Sequence, residues 1–295
     1  MPKTVTRCLL CESDRSTQFD QREFCGFQVV NRLCKNCGLV YQSPRMTESE
    51  LEAFYQSEYR QIYQGSQGPS EKDLSIQKAR AGALTDILRE VEVGKIDRFA
   101  DIGSSSGALQ EGIKEAFNCK VIGIEPGRAY RDYAEKRGLN VYENLDSVEE
   151  AEEPAFDLIS MIHVLEHIPE PVNYLNRLRK KFLTSNGRIL IEVPNLYAHD
   201  CFEVAHLISF SQHTLYQVVK KAGYMTTFLR PHGQPRSNLI PLYITLIATP
   251  SESSPDQNII EVERWVQLKR RTGLAQRRTI ERLFPRQAWL PEYRG

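Results

Sequence analysis

Three groups of residues combine side chains and spacings that can do chemistry. The first is Cys8-Leu9-Leu10-Cys11 and, twenty-two residues on, Cys34-Lys35-Asn36-Cys37-Gly38. Two intervening residues let both sulfurs of a pair face one ion. Four thiolates close a tetrahedral site with no open position, so a zinc ion held by Cys8, Cys11, Cys34 and Cys37 would be structural. The second group is Phe99–Gly107, FADIGSSSG, an apolar run ending in Asp101 before Gly103 and Gly107 frame three serines. Glycine lets the backbone approach a ligand with no Cβ in the way, and the following helix N-terminus offers N–H groups to a carboxylate or phosphate. About 20 residues on, VIGIEPG sets Glu125 at the end of another apolar run, where a carboxylate can accept from both hydroxyls of a ribose. The third group is Phe156–Pro171, FDLISMIHVLEHIPEP. His163 and His167 lie four apart with Glu166 between, so a helical turn would aim all three at one point. Histidine accepts protons at neutral pH, and a carboxylate can orient it or raise its basicity. The plainer reading has His163 packing on a cofactor and Glu166 capping the next segment. A divalent cation would also suit the trio, though no fourth ligand stands nearby.

The elements that must position these residues follow from pattern. From Asp97, apolar runs alternate with amphipathic stretches: FADIG, a helix over 107–117, CKVIGIE, a helix over 128–137, NVY, FDLISMI, a helix over 171–183, GRILIEV and a helix over 211–222. That alternation predicts a parallel sheet with crossover helices. MTTFLRP and PLYITLIATP then follow without an intervening helix, which predicts a terminal antiparallel hairpin. Both carboxylates, Asp101 and Glu125, fall at strand C-terminal ends, where open α/β sheets bind ligands. Ser211 is placed as a helix cap and Gly223 as its end. Upstream, Thr47 and Glu50 make a capping box, a helix over 71–90 leads into the sheet, and Tyr55, Tyr59 and Tyr63 share one helical face. That face packs inward or serves as a lid with tyrosine hydroxyls at its polar end. Cys25, Cys119 and Cys201 are read as small buried hydrophobes.

The glycine pattern separates the candidate cofactors. A dinucleotide G-x-G-x-x-G needs glycine at 105, where Ser105 stands; Asp-x-Gly-x-x-x-Gly resembles motif I of class I S-adenosylmethionine (SAM) methyltransferases. Those enzymes also usually carry glycine at this position, so Ser105 departs from both patterns and is tolerable if its hydroxyl or backbone faces the cofactor. Motif I, Glu125, FDLISMIHVLEHIPEP, GRILIEVPN and HLISFSQHTLYQVVKKAGY together resemble the class I methyltransferases of bacterial polysaccharide and sugar biosynthesis. The CxxC…CxxCGLVYQSP segment is similar to the zinc-binding module of sugar C-methyltransferases. The resemblance spans roughly residues 5–250 and implies a seven-stranded Rossmann-like α/β sheet with a small zinc ribbon and a C-terminal helical tail. The division is 1–45 ribbon, 46–93 linker and lid helices, 94–250 SAM-binding domain and 251–295 tail.

The resemblance also implies roles. Asp101, Gly103, Ser105 and Gly107 would hold the methionine part of SAM, and Glu125 with Pro126 the ribose. Asn144 falls where relatives often carry an Asp for the adenine amino group, and Met161 to His163 would line the adenosine and methyl region. Glu166 and His167 match a Glu-His pair implicated as base machinery, with His167 as the leading base and His163 shaping the methyl pocket. Substrate contacts are expected from Tyr59, Tyr63, Asn195, His199 and His206. Relatives continue into a further C-terminal domain, and some transfer to oxygen rather than carbon. The expected activity is SAM-dependent methylation of a sugar moiety, on a nucleotide sugar or a surface glycan. An RNA methyltransferase using the ribbon as a clamp and a non-catalytic SAM- and zinc-binding scaffold are the rivals.

Composition bounds these readings. The 295 residues carry 38 basic and 38 acidic side chains, a formal net charge of zero, so no global field draws nucleic acid. Paired cysteines without a leader-like apolar run point to a cytoplasmic protein with no membrane span. From residue 260 onward nine Lys/Arg face four Asp/Glu, so the tail is basic. Its apolar stripe, expected to break at Gly273, suits a docked helix, with peripheral membrane or polyanion contact as the alternative.

Overall fold

The computed structural model describes residues 3–57, 62, 68–151, 155–200, 202–251 and 259–290. Tyr59, Tyr63 and Cys201, and the side chain of Tyr55, lie outside what is described. Two compact units form: residues 1–48, 163–176 and 191–295 make one, and residues 49–162 and 177–190 the other.

In the first unit, β1 (Ser16–Phe24) and β2 (Phe27–Cys34) pair as an antiparallel hairpin with Phe24 opposite Phe27. The two loop residues, Cys25 and Gly26, have φ of +49° and +84°. Such a loop needs positive φ at both positions. It carries the Cys25 side chain into solvent, which corrects the expectation that Cys25 is buried. Next comes β3 (Val40–Gln42), antiparallel to β2 and to β9 (Ile208–Ser209), which completes a four-stranded sheet in the order β1-β2-β3-β9. The ribbon therefore shares a sheet with a strand far downstream in sequence, Tyr41 pairing with Ile208, rather than standing alone.

In the second unit, α1 (Glu48–Ser57) and α2 (Glu71–Glu90) precede the main sheet. Ser70 caps α2 by accepting from the Asp73 N–H. Strand and helix then alternate as expected: β4 (Arg98–Ile102), α3 (Ala108–Phe117), β5 (Lys120–Ile124), α4 (Arg128–Lys136), β6 (Val141–Tyr142), α5 (Leu145–Ala151) and β7 (Phe156–Ile162). Strands β4, β5, β6 and β7 are mutually parallel where they pair. Phe99, Ala100 and Ile102 of β4 are all buried, as a parallel strand covered on both faces requires. The short helix α5 is not legible in the sequence pattern. Asn144 Oδ1 caps it, accepting from Ser147 N at 2.9 Å and Ser147 Oγ at 3.1 Å.

A 3-10 turn at Leu165–His167, α6 (Pro171–Lys181), β8 (Leu183–Pro194), α7 (Gln212–Lys221), β10 (Tyr224–His232) and β11 (Tyr243–Pro250) follow. The seven-stranded sheet runs β10-β11-β8-β7-β4-β5-β6 and ends in the antiparallel β10/β11 hairpin. Ser211 caps α7 reciprocally with Thr214, and Gly223 takes φ +88° after it.

The tail forms α8 (Val266–Leu283) and α9 (Pro285–Ala288). Gly273 does not break α8, as its sequence suggested; a Cβ there would run into the Tyr197 carbonyl, so glycine marks a close approach instead. Glu263 accepts from Tyr197 Oη at 2.6 Å and Ser211 Oγ at 2.5 Å, and its N–H donates to the Cys37 carbonyl at 3.1 Å. Arg270 donates to the carbonyls of Leu196 and His199. No described helix is long and apolar enough to cross a membrane.

Candidate active site

In the second unit the chain turns sharply after β4. The N–H groups of Gly103 and Ser104 both donate to the Ile124 carbonyl, at 2.7 and 3.0 Å, tying the turn to the end of β5. Gly103, Ser105 and Gly107 take φ of +75°, +50° and +83°. Ser105 thus adopts a conformation that glycine enters without strain, the physical content of its departure from the motif. Its N–H donates to Glu125 Oε2 at 2.9 Å, and the Gly127 N–H donates to Oε1 at 2.8 Å. The buried Glu125 carboxylate is therefore held between the two turns. Pro126 is exposed and its carbonyl accepts from Arg131.

Asp101 is buried and accepts from Ser160 Oγ at 2.5 Å. Burial pushes its carboxyl up to about 7, against the opposing Ser160 hydrogen bond and with help from the Glu125 charge. Ser106 N and Oγ donate to Gln77 Oε1, and Gln77 in turn donates to Asp73, so α2 braces the loop. Ser104 Oγ, Ser105 Oγ and Gln110 Oε1 are buried with no hydrogen-bond partner among the described residues. Orphaned polar atoms around a glycine-rich turn fit a site that a polar cofactor completes. A Cβ at Gly123 would meet Ser104 Oγ at 2.5 Å and Gln110 Oε1 at 2.6 Å, which explains the glycine in β5. Met161 is fully buried in β7. Asn144, expected at the adenine, is exposed and uses its carbonyl as the α5 cap.

In the first unit, five of the six histidines gather around Tyr243 and two buried carboxylates. His163 directly follows β7 with φ +56°, a strained value for a residue with a Cβ. Its N–H donates to the Glu192 carbonyl at 2.8 Å, and Nε2 lies 3.2 Å from Glu192 Oε1. Nδ1 lies 3.4 Å from Glu166 Oε1. Glu192 Oε2 accepts from Thr245 Oγ1 and faces His232 Nε2, both at 3.2 Å. Glu192 and His232 were not singled out from the sequence: GRILIEVPN reads as a buried strand, and only strand pairing shows that its one acid faces histidines.

His167 Nδ1 bonds the Ala205 carbonyl at 2.9 Å, which seats the 3-10 turn against the segment carrying His206. The His167 and His206 rings lie 4.9 Å apart. Burial pushes His167 down to about 4, partly offset by the Glu166 charge. Burial also pushes His199 down to about 3. For Glu166, burial acts upward, but the His163 imidazole beside it and the charges of His167, His163 and His206 prevail and hold it at about 2. Asn195, expected to touch substrate, spends its side chain on backbone: Nδ2 donates to the Pro241 carbonyl and Oδ1 accepts from Tyr197 N.

The four predicted cysteines converge. Cys8 and Cys37 Sγ lie 3.5 Å apart, as do Cys11 and Cys34, and all four sulfurs fall within 4.8 Å of one another. A zinc tetrahedron with Zn–S of about 2.3 Å sets sulfurs about 3.8 Å apart, so the cluster fits one ion. Asn36 donates its backbone N–H to Cys34 Sγ and its side-chain Nδ2 to Cys11 Sγ.

Residues 76–227, more than half of the chain, match a family model described as a methyltransferase domain. No curated protein matches. The 1,6-didemethyltoxoflavin-N1-methyltransferase of Burkholderia thailandensis, solved with 1,6-didemethyltoxoflavin and S-adenosylhomocysteine, is 16% identical with a TM-score of 0.56. That match covers 79% of this chain and 100% of the other. The plantazolicin methyltransferase BpumL, solved with S-adenosylhomocysteine, is 12% identical with a TM-score of 0.51, over 68% of this chain and 94% of its own. The chain belongs to the methyltransferase domain family, and its fold is that of these two methyltransferases.

Proposed function

We propose that the enzyme methylates a sugar moiety, carried on a nucleotide or within a surface polysaccharide or glycan, at oxygen or carbon. The observation that carries this reading is the buried cluster of histidines and carboxylates beginning at His163, a lining that suits a polyhydroxylated acceptor better than an apolar one. It agrees with the likeness of the ribbon and the HVLEH segment to sugar methyltransferases. Zero net charge argues against a nucleic-acid partner. The four cysteines would hold a structural zinc, since a segment this small lacks a core of its own.

SAM is already activated, so the protein must align nucleophile, methyl and sulfur, exclude water and accept a proton. Asp101 and the 103–107 backbone would hold its methionine part and Glu125 its ribose. We assign the proton acceptor to His163 in place of His167. His163 is 28% exposed and held by Glu192 through Nε2, and Glu166 stands beside Nδ1, where it would stabilise the imidazolium. His167 is tied through Nδ1 and depressed by burial. Replacing His163 by Ala is expected to lower turnover by about 10²–10⁴ while SAM binding persists.

The test is transfer of labelled methyl from SAM into host extract separated into nucleotide sugars, glycans and RNA. Label in a sugar fraction supports the reading. Label in RNA alone overturns it.

A further inference from the structure

We infer that Glu166, His167 and His206 form a binding site for one divalent first-row cation, distinct from the four-cysteine cluster. The backbone brings the three together. The His167 Nδ1 bond to the Ala205 carbonyl, 2.9 Å long, aligns the 3-10 turn with the residue preceding His206. One ligand atom from each of the three side chains lies within 4.8 Å of the other two. Around an ion with ligand distances of about 2.1 Å these atoms would sit about 3.4 Å apart, so small side-chain rotations complete the site.

The protonation pattern suits a metal. A carbonyl only accepts, so His167 Nδ1 carries the proton and Nε2 the lone pair. This is how metal-binding histidines are oriented. His206 Nε2 stands 3.7 Å from Glu203 Oε2, close enough for charge attraction. Glu166 supplies an independent sign. It is 1% exposed, and neither carboxylate oxygen has a hydrogen-bond partner among the described residues. The His163 Nδ1 at 3.4 Å is close enough for charge attraction but is not aligned for a hydrogen bond. A buried carboxylate without donors is costly unless a cation completes it.

Two imidazoles and one carboxylate suit Mn²⁺, Fe²⁺, Co²⁺ or Zn²⁺, and three protein ligands leave positions open. This deepens the proposed function and, in its chemical role, rests on it. A substrate hydroxyl in the open position would lose its proton more readily. That proton passes to His163, the oxygen lone pair forms the new C–O bond, the methyl–sulfur bond breaks, and its electron pair stays on sulfur as the neutral thioether of S-adenosylhomocysteine. The site thus favours oxygen as the methylated atom.

Mn²⁺ is the probe, because thiolates are poor ligands for it and the cysteine cluster stays silent. The full chain, isolated with its ribbon intact, is titrated with Mn²⁺ and free Mn²⁺ is read by electron paramagnetic resonance. One bound Mn²⁺ per chain is expected, weakened at least tenfold in Glu166→Gln and in His206→Ala, with SAM affinity and circular dichroism unchanged. If Glu166→Gln does not fold, His206→Gln serves as the second variant. No Mn²⁺, Co²⁺ or Zn²⁺ bound at millimolar concentration beyond the cysteine cluster overturns the site, as does equal affinity in the variants. Sugar methylation unaffected by metal depletion, in protein that binds Mn²⁺ through these residues, overturns the catalytic role. Mn²⁺ bound here with no label in any sugar fraction overturns the sugar reading and leaves the site standing.

Discussion

Asp101 illustrates how burial sets the behaviour of one side chain. Its carboxyl sits near 7 instead of the ordinary 3.8, mainly because burial penalises the charged form. A raised acid holds its proton more tightly folded than unfolded, so its stabilising contribution is full below pH 3.8 and is lost as pH rises through 7. If Asp101 pairs with the ammonium of SAM, cofactor binding must release that proton. SAM affinity is then expected to climb as pH rises through about 7 and to flatten above it, whereas Asp101→Asn should bind more weakly with no such climb. Calorimetry from pH 6 to 8 in buffers of different ionisation heat checks both the climb and the proton release. Gly107 gives a second residue-scale test. It takes φ +83°, and a Cβ there would strike Leu139. Gly107→Ala is expected to cost about 1–3 kcal/mol, read by urea denaturation.

At the scale of elements, α8 shows two preferences in conflict. Alanine is favoured over glycine inside a helix by about 1 kcal/mol, so Gly273→Ala would stabilise an isolated α8. In the folded chain the new Cβ meets the Tyr197 carbonyl, a backbone atom that cannot swing aside. The clash costs about 1–3 kcal/mol and should prevail. Gly273→Ala is expected to lower the melting temperature; a rise would show that α8 is not pressed against the 195–199 segment. The same helix begins just after Glu263, whose carboxylate accepts from Tyr197 and Ser211. Glu263 raises the Tyr197 hydroxyl above its ordinary range, with burial as the larger cause. The tail is therefore part of the structure that holds the 195–211 segment.

For the whole molecule, the ribbon is the part whose loss should spread furthest. Its β3 pairs with β9, and Gln42 N donates to the Leu207 carbonyl at 2.8 Å, one residue from His206. With zinc held there as proposed, stripping it with a strong chelator, or Cys34→Ser, is expected to lower the melting temperature by about 5–10 °C, equivalent to about 2–3 kcal/mol. Hydrogen exchange should show β9 and the 203–207 turn losing protection along with the hairpin. Protection lost in residues 8–40 alone would mean that the ribbon is energetically separate.

Local chemistry decided what could be read from the chain itself. The two CxxC pairs, the Asp-x-Gly-x-x-x-Gly turn, Glu125 at the end of β5 and the alternation of strand and helix depend on neighbours within a few residues, so spacing alone reveals them. The terminal hairpin was legible as two strand-like runs with no helix between them, and the seven-stranded sheet was implied by the resemblance; the order in which its strands pair was not read from the chain. Contacts between distant segments were set only by the tertiary structure. Cys25 is exposed because the hairpin loop imposes positive φ. Asn144 and Asn195 are engaged because nearby backbone groups needed partners. Glu192 meets His163 and His232 only when β8, β10 and β11 are assembled. His167 comes beside His206 through its hydrogen bond to the Ala205 carbonyl, 38 residues away in sequence. Periodicity tells which face of an element is buried; which polar side chains come to share that interior is decided by long-range packing, and that is where the candidate catalytic and metal-binding groups were assembled.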